Sequence, residues 1–320
     1  MNLALIGYGN VGRAFARLLD AKRSVYPFRI VAINTARHGS AFDARGLPVD
    51  PEFGPPVATV DEFLDRAQAE VVMELTTLNP ATGEPAITHI RKAFARSMHV
   101  VTANKGPIAH AYSSLRAEAT RAGVQFRFES TCMDGAPVFN MVRSNLPGAK
   151  VLGFTGVLNS TSNVVIAAMR RGLSMDEGIQ EARNLGIAEA DASYDIDGWD
   201  SAAKAAALAN VLMDARVTPL EVDRKGIGRL TSKKLKEMAT SRKTVCLVSR
   251  GAQTAAGLKL RVRAEVLPDT DILACVQGTS NLLLLHTDLM GTVGTVSISP
   301  GIDQTAYGVF SDLVDIATTI

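Results

Sequence analysis

Asp195, Asp200 and Lys204 lie in one stretch, Asn184 to Lys204 (NLGIAEADASYDIDGWDSAAK), which sets acids and a lysine among small residues and runs straight into an alanine-rich segment. A lysine can give or take a proton, and a carboxylate beside it orients it and holds it charged until substrate arrives. Asp200 and Lys204 have i,i+4 spacing, so on a helix they share one face, one turn apart. WDSAAKAAALANVLM reads as that helix, with acids near its positive N-terminal end and with Asp195, Asp197 and Gly198 as the turn or cap before it. If exposed, the pair is an ordinary surface contact contributing about 0.2–0.5 kcal/mol. Ala202, Ala203, Ala205, Ala206 and Ala207, however, make a thin-walled helix that can lie close against other elements, and the pair can then face a cleft.

A second constellation opens the chain. Leu3 to Ile6 is a short apolar run ending in Gly7-Tyr8-Gly9-Asn10-Val11-Gly12, after which Ala14, Phe15, Leu18 and Leu19 recur at helical spacing. Strand, glycine turn and helix in that order read as a dinucleotide site in preference to an ordinary structural turn: Gly7 permits the turn, Gly9 lets backbone approach a pyrophosphate, and Gly12 allows close packing. The helix start adds amide donors and partial positive charge, bringing Asn10 and Val11 into the site. The next strand, Phe28 to Asn34, ends without the acid that would bind the ribose 2′-hydroxyl of NAD. Arg37 follows, with Thr35 and His38 beside it, and could receive a 2′-phosphate, so NADP is the expected cofactor, NAD the alternative.

Gly39 to Pro56 reads as an excursion over the surface, after which the βα rhythm resumes with a helix from Asp61 to Ala69 and a strand from Val71 to Leu75. Thr76 and Thr77 stand at that strand's carboxyl end, where open α/β sheets bind ligands. A helix from Glu84 to Arg96 and a strand from Val100 to Lys105 follow, the latter delivering Lys105 to the same edge; Pro107 starts the next helix, which runs to Ala122. Val124 to Ser130 reads as a further strand. Near Lys150 the character of the chain changes: a strand from Val151 to Leu158, then Asn159-Ser160-Thr161-Ser162-Asn163, a helix from Val164 to Arg171 and another from Ser174 to Leu185. Asn159 and Thr161 suit helix capping as well as ligand contact. Five strand-like runs follow the basic segment Arg229 to Lys243: Thr244 to Ser249, Leu258 to Val266, Ile272 to Val276, Asn281 to His286 and Thr292 to Ile298. Leu282 to Leu285 suggest strong burial at a sheet-based subunit interface.

These motifs together resemble the homoserine dehydrogenases. The family's signature runs G-x-x-E-x-D-P-x-x-D-[apolar]-x-G-x-D-x-x-x-K, and Gly186, Glu189, Asp191, Asp195, Ile196, Gly198, Asp200 and Lys204 match it in spacing, with Ala192 in the place of the proline. The segment Thr102-Ala103-Asn104-Lys105-Gly106 is also similar to the family's, in which the lysine lies beside nicotinamide and substrate. The resemblance implies that Lys204 donates the proton, Asp200 orients it and touches substrate, Glu189 binds the substrate's amino group, and Lys105 binds substrate and shares the relay. Asn159, Thr161 and Asp195 complete the substrate site, although Ser160 replaces a family glycine. It also implies a monovalent cation, sodium or potassium, held by the Glu129 side chain and by backbone carbonyls of Cys132, Asp134 and Ala136. Oxygen donors on an irregular loop suit such a hard ion.

The implied fold is α/β: a Rossmann-type nucleotide-binding domain over 1–135 and 302–320, and an α+β catalytic and dimerisation domain with a mixed sheet over 136–301. After the loop Pro300 to Ala306, the helix running to Ile320 returns to the nucleotide domain, with no regulatory module expected after it. The implied reaction interconverts L-aspartate 4-semialdehyde and L-homoserine, in a homodimer. A zwitterionic amino acid requires both an acid and a base in its pocket, which this set provides. A related amino-acid oxidoreductase with another substrate, motivated by Ser160, Ala192 and Asp303, and a non-catalytic nucleotide sensor are the alternatives. A length of 320 residues suits two interlocked domains. A formal charge of +2 gives no reason to expect nucleic acid, and Cys132, Cys246 and Cys275 lack the spacing of a disulfide framework or zinc site. No signal peptide or membrane span is read, and a reducing, cytoplasmic setting fits best.

Overall fold

The computed structural model describes residues 1–188 and 191–319. Its first unit, Met1–Phe139 with Gly301–Ile320, is built on a sheet in the order β3-β2-β1-β4-β5-β6. Strand β1 (Asn2–Ile6) lies parallel to both β2 (Arg29–Thr35) and β4 (Val71–Glu74), and β5 (His99–Thr102) and β6 (Phe126–Arg127) continue the parallel run. These strands are near-continuous apolar sequence because helices cover both faces of such a sheet. Strand order reverses between β1 and β4, and the crevice outside their carboxyl ends is where this architecture binds ligands. Helix α1 (Asn10–Lys22) buries Phe15 and Leu19 against Leu3, Leu5, Ile33 and Met73, joined by Val309, Leu313 and Ile316 of the last helix, α11 (Ile302–Thr319). Helices α2 (Val60–Ala67), α3 (Ala86–Phe94) and α4 (Lys105–Ala122) make the crossovers.

The second unit, Asn140–Pro300, holds a mixed sheet in the order β12-β11-β7-β9-β10-β8, antiparallel throughout except where β8 lies parallel to β10. Its strands are β7 (Val151–Val157), β8 (Asp223–Lys225), β9 (Lys243–Thr254), β10 (Gly257–Pro268), β11 (Asn281–Thr287) and β12 (Thr292–Ser297). Following α5 (Phe139–Asn145), the helices are α6 (Ser160–Arg171), α7 (Met175–Asn184), the single turn α8 (Ser193–Ile196), α9 (Trp199–Leu212) and α10 (Ser232–Thr240). Ala205, Ala206, Ala207, Leu208 and Ala209 are all fully buried, so α9 is a core helix whose small side chains let it press onto β9 and β10. Leu282, Leu283 and Leu285 are buried by the chain's own packing.

Several local readings are corrected. Gly39–Phe42 is not a surface excursion but β3, an antiparallel hairpin partner of β2 that leaves Arg37 in the exposed turn. Lys105 does not end a strand: β5 stops at Thr102, and the Asn104 side chain accepts the Gly106 amide, starting α4 at Lys105 before Pro107. The strand expected over Val124 to Ser130 is two residues long, and Glu129–Thr131 turns as a 3-10 helix. Ile272–Cys275 is likewise a 3-10 turn, because Asp271 caps the Leu273 amide. Asp195 lies in α8 and not in an open turn, and β8 escaped the sequence reading because Asp223-Arg224-Lys225 has no apolar alternation. No helix among the described residues is long and apolar enough to cross a membrane.

Candidate active site

The catalytic candidates of the second unit converge on one hydrogen-bonded cluster. Gly198 takes φ +79°, a left-handed value that glycine adopts without strain, and so turns the chain from α8 into α9. Asp200 then stands in the first turn of α9, favoured by the helix dipole, with Lys204 one turn further on. Lys204 Nζ lies 3.2 Å from Asp200 Oδ2, with side chains only 13% and 12% exposed, so this is not a solvated surface pair. The ammonium also donates to the Leu158 carbonyl at 2.5 Å, where β7 has just ended. Asn159 caps α6 by accepting the Ser162 amide, and its Nδ2 donates to Asp195 at 2.7 Å and Asp200 at 3.0 Å. One asparagine thus joins a helix start to two acids, Asp200 buried and Asp195 half-buried.

Burial, and then the negative charge of Asp200, hold the Asp195 carboxyl above its ordinary range, against the lowering effects of Asn159, Lys204 and the Thr161 hydroxyl. A proton on or near this cluster is therefore easily held, the condition for proton transfer. Thr161 sits inside the first turn of α6 and donates to the Ile187 carbonyl at 3.1 Å. Ser160 is the first residue of α6, in helical conformation, and gives its hydroxyl to the Thr279 carbonyl at 2.8 Å; no left-handed backbone is required there. Glu189 lies outside the described residues. Sequence reasoning missed Tyr194, whose hydroxyl is buried, takes no hydrogen bond among the described residues, and is pushed up in pKa by burial and then by Asp200 and Asp195. It also missed the Leu158 carbonyl, since a backbone acceptor carries no side-chain signal.

In the first unit the glycine turn has distinct constraints at each position. Gly7 has φ +96°, and a Cβ there would come within 2.6 Å of the Leu75 carbonyl oxygen. Around Gly9 nothing lies within 4 Å of such a Cβ, whereas at Gly12 it would press on the Gly7 carbonyl and the Tyr8 ring at 3.2 Å. The open side at Gly9 and the amides of Asn10 and Val11 at the start of α1 fit a pyrophosphate. Thr76 and Thr77 follow β4, tied to the start of α4 by Asn104 Nδ2, which donates to the Thr76 carbonyl at 3.2 Å. Lys105, half-buried, occupies the first turn of α4, where the helix dipole disfavours a cation, so helix stability does not explain it. Arg37 is exposed, in a turn held by the Thr35 hydroxyl, which accepts the His38 amide at 2.8 Å.

The loop expected to hold a cation is pinned rather than loose. Glu129 is 2% exposed; its Oε1 accepts the Val138 and Phe139 amides at 2.5 and 2.9 Å, and its own amide donates to Asp312 of α11 at 2.7 Å. Asp134 takes φ +52°, and Cys132 is buried. The expected donors, one buried carboxylate and backbone carbonyls, are of the oxygen type that suits a hard ion.

Against known proteins, the family described as homoserine dehydrogenase matches residues 137–314, and the homoserine dehydrogenase NAD binding domain matches residues 7–129. The homoserine dehydrogenase of Methanocaldococcus jannaschii is 35% identical, over 99% of this chain and 98% of that protein. The chain belongs to the homoserine dehydrogenase family. A second homoserine dehydrogenase, NAD(+)-dependent and from Pseudomonas canavaninivorans, is 32% identical over 98% of this chain and 95% of its own. A hyperthermophilic archaeal homoserine dehydrogenase mutant solved in complex with NADPH superposes with a TM-score of 0.84 at 26% identity, covering 100% of this chain and 98% of that one. The fold is accordingly a Rossmann-type domain plus a catalytic domain, and the protein is an oxidoreductase that uses a nicotinamide cofactor.

Proposed function

We propose that the protein interconverts L-aspartate 4-semialdehyde and L-homoserine, with Lys204 as the proton donor and acceptor. The observation that carries this is the hydrogen-bonded Lys204–Asp200–Asn159–Asp195 cluster, with Asp200 and Asn159 buried and Lys204 and Asp195 largely so. A bound nicotinamide supplies or accepts the hydride. Lys204 Nζ gives its proton to the carbonyl oxygen as the alcohol forms and takes it back in the reverse direction. Asp200 orients the ammonium and keeps it charged, and the Leu158 carbonyl fixes its second direction. Asp195, Asn159 and Thr161 contact the amino-acid end of the substrate, with Glu189 receiving its ammonium group. Lys105 binds substrate and shares in the proton relay.

In this reading the unit 1–135 with 302–320 binds the nucleotide through Gly7, Gly9, Asn10, Val11, Gly12, Thr76, Thr77 and Lys105, and 136–301 is catalytic. Arg37 selects NADP by pairing with the 2′-phosphate, a preference supported by the absence of an acid at the end of β2. Sodium or potassium is held by Glu129 and the carbonyls of Cys132, Asp134 and Ala136. A homodimer forms across the second sheet, supported by Val296 and Ile298, apolar side chains 56% and 80% exposed on β12 and just beyond it. The setting is cytoplasmic. The test is an initial-rate assay with aspartate semialdehyde and either NADPH or NADH, with and without added sodium or potassium. Turnover of another hydroxy or amino acid in preference to homoserine would defeat the substrate assignment.

A further inference from the structure

At the β8 edge of the second sheet, Asp197, Arg224, Lys225, Gly226, Gly228, Arg229 and Arg263 line a cavity of about 640 Å³. Its position is rigidly set. A Cβ on Gly226 would fall 2.0 Å from the Ile196 carbonyl oxygen, so the segment's backbone lies directly on α8, and the Ile227 amide donates to that same carbonyl at 2.8 Å. Arg224 is stacked over the Trp199 ring at 3.7 Å and donates to the Asp197 carbonyl. Arg263, its side chain 39% exposed, holds Asp223 through Nη2, at 2.8 and 2.6 Å, while its Nε atom is buried and has no acceptor among the described residues. The side chains of Lys225 and Arg229 take no hydrogen bond or ion pair among the described residues.

Basic residues on a convex face are ordinary solvated charge, but here four cations line one concavity, the side chains of two of them, Lys225 and Arg229, have no partner among the described residues, and neither does one buried guanidinium N–H. Buried donors are nearly always paired, and clustered cations in a cleft concentrate anions. The volume falls within the range of small-molecule sites, about 300–1,000 Å³. We propose that this cleft binds a small oxyanion carrying at least two negative charges, a phosphate ester or a polycarboxylate, through Lys225, Arg229 and Arg263. Asp197 in its wall, and Asp223 paired with Arg263 beside it, disfavour an extended polyanion.

Calorimetric titration of the intact protein, saturated with NADPH so that the glycine turn is occupied, tests this with pyrophosphate and citrate as separate probes at constant ionic strength. One of the two binds once per chain, and whichever binds identifies the class. In K225A/R229A, where both replaced side chains are exposed and the fold is retained, affinity falls about tenfold or more, the scale of one lost charge-assisted contact. The variant K233A/K234A, which removes the same charge from exposed positions of α10, binds as the parent does. Equal affinity in all three proteins, or heats no larger than a matched chloride control, overturns the proposal.

Discussion

Lys204→Met is the sharpest perturbation of the proposed chemistry, because methionine keeps the length and apolar stem of the side chain and removes only the ammonium. Two contacts are lost: the 3.2 Å pairing with Asp200 and the 2.5 Å bond to the Leu158 carbonyl. Breaking one side of a buried ion pair costs about 3–5 kcal/mol, and the Asn159 amide still on Asp200 keeps the loss near the lower end. Positioned general acids contribute about 10²–10⁴-fold, or roughly 3–5 kcal/mol in the barrier. Saturating-substrate rates with aspartate semialdehyde should therefore fall by at least about 10²-fold, while NADPH binding, followed by its fluorescence, is largely retained. Lys204 is also among the groups that pull the Asp195 carboxyl down, so that carboxyl rises further in the variant. Lys204→Arg keeps the charge but holds its proton throughout the working pH range, so it should retain more of the stability, measured by urea unfolding, without restoring turnover. A methionine variant with kcat within about threefold of the parent, far less than a general acid contributes, would refute the reasoning, as would an arginine variant of full activity.

The same geometry sets four further outcomes. Gly7→Ala meets the Leu75 carbonyl at a left-handed backbone position and should destabilise the ligand-free protein by more than about 1 kcal/mol. Gly9→Ala, at φ −83° in open space, should change stability by less than about 0.5 kcal/mol yet weaken NADPH binding; paired melting and titration curves that fail to separate the two would defeat the pyrophosphate assignment. Asp195, whose carboxyl is raised in the fold, binds its proton more tightly folded than unfolded, so its contribution to stability falls as pH rises from the ordinary value of 3.8 through the folded one. Asp195→Asn should thus raise the melting temperature at neutral pH, with the gap closing as pH falls toward 3.8, whereas a pH-independent gap would count against the buried-charge account. Arg37→Ala should weaken NADPH by about tenfold or more, the value of a charge-assisted contact, and leave NADH nearly unchanged; equal loss for both would remove Arg37 from 2′-phosphate recognition.

The sequence alone determined whatever depends on local spacing. The Gly7-to-Gly12 turn, the helix carrying Asp200 and Lys204, and the Rossmann plus mixed-sheet fold were legible because each rests on periodicity, on glycine conformations or on a long spaced signature. Tertiary structure decided what depends on partners distant in the chain. Whether Asp200 and Lys204 formed a surface pair or a buried one was settled by the packing of α9 against β9 and β10, and Asn159's hold on Asp195 and Asp200 joins residues roughly forty positions apart. The short turns at Glu129–Thr131 and Ile272–Cys275 escaped because strand-like composition yields to capping and packing contacts. Backbone acceptors such as Leu158, and donors such as the Tyr194 hydroxyl and the Arg263 Nε that are buried with no partner among the described residues, exist only once the chain is folded, because burial is a property of the whole packing rather than of any residue type.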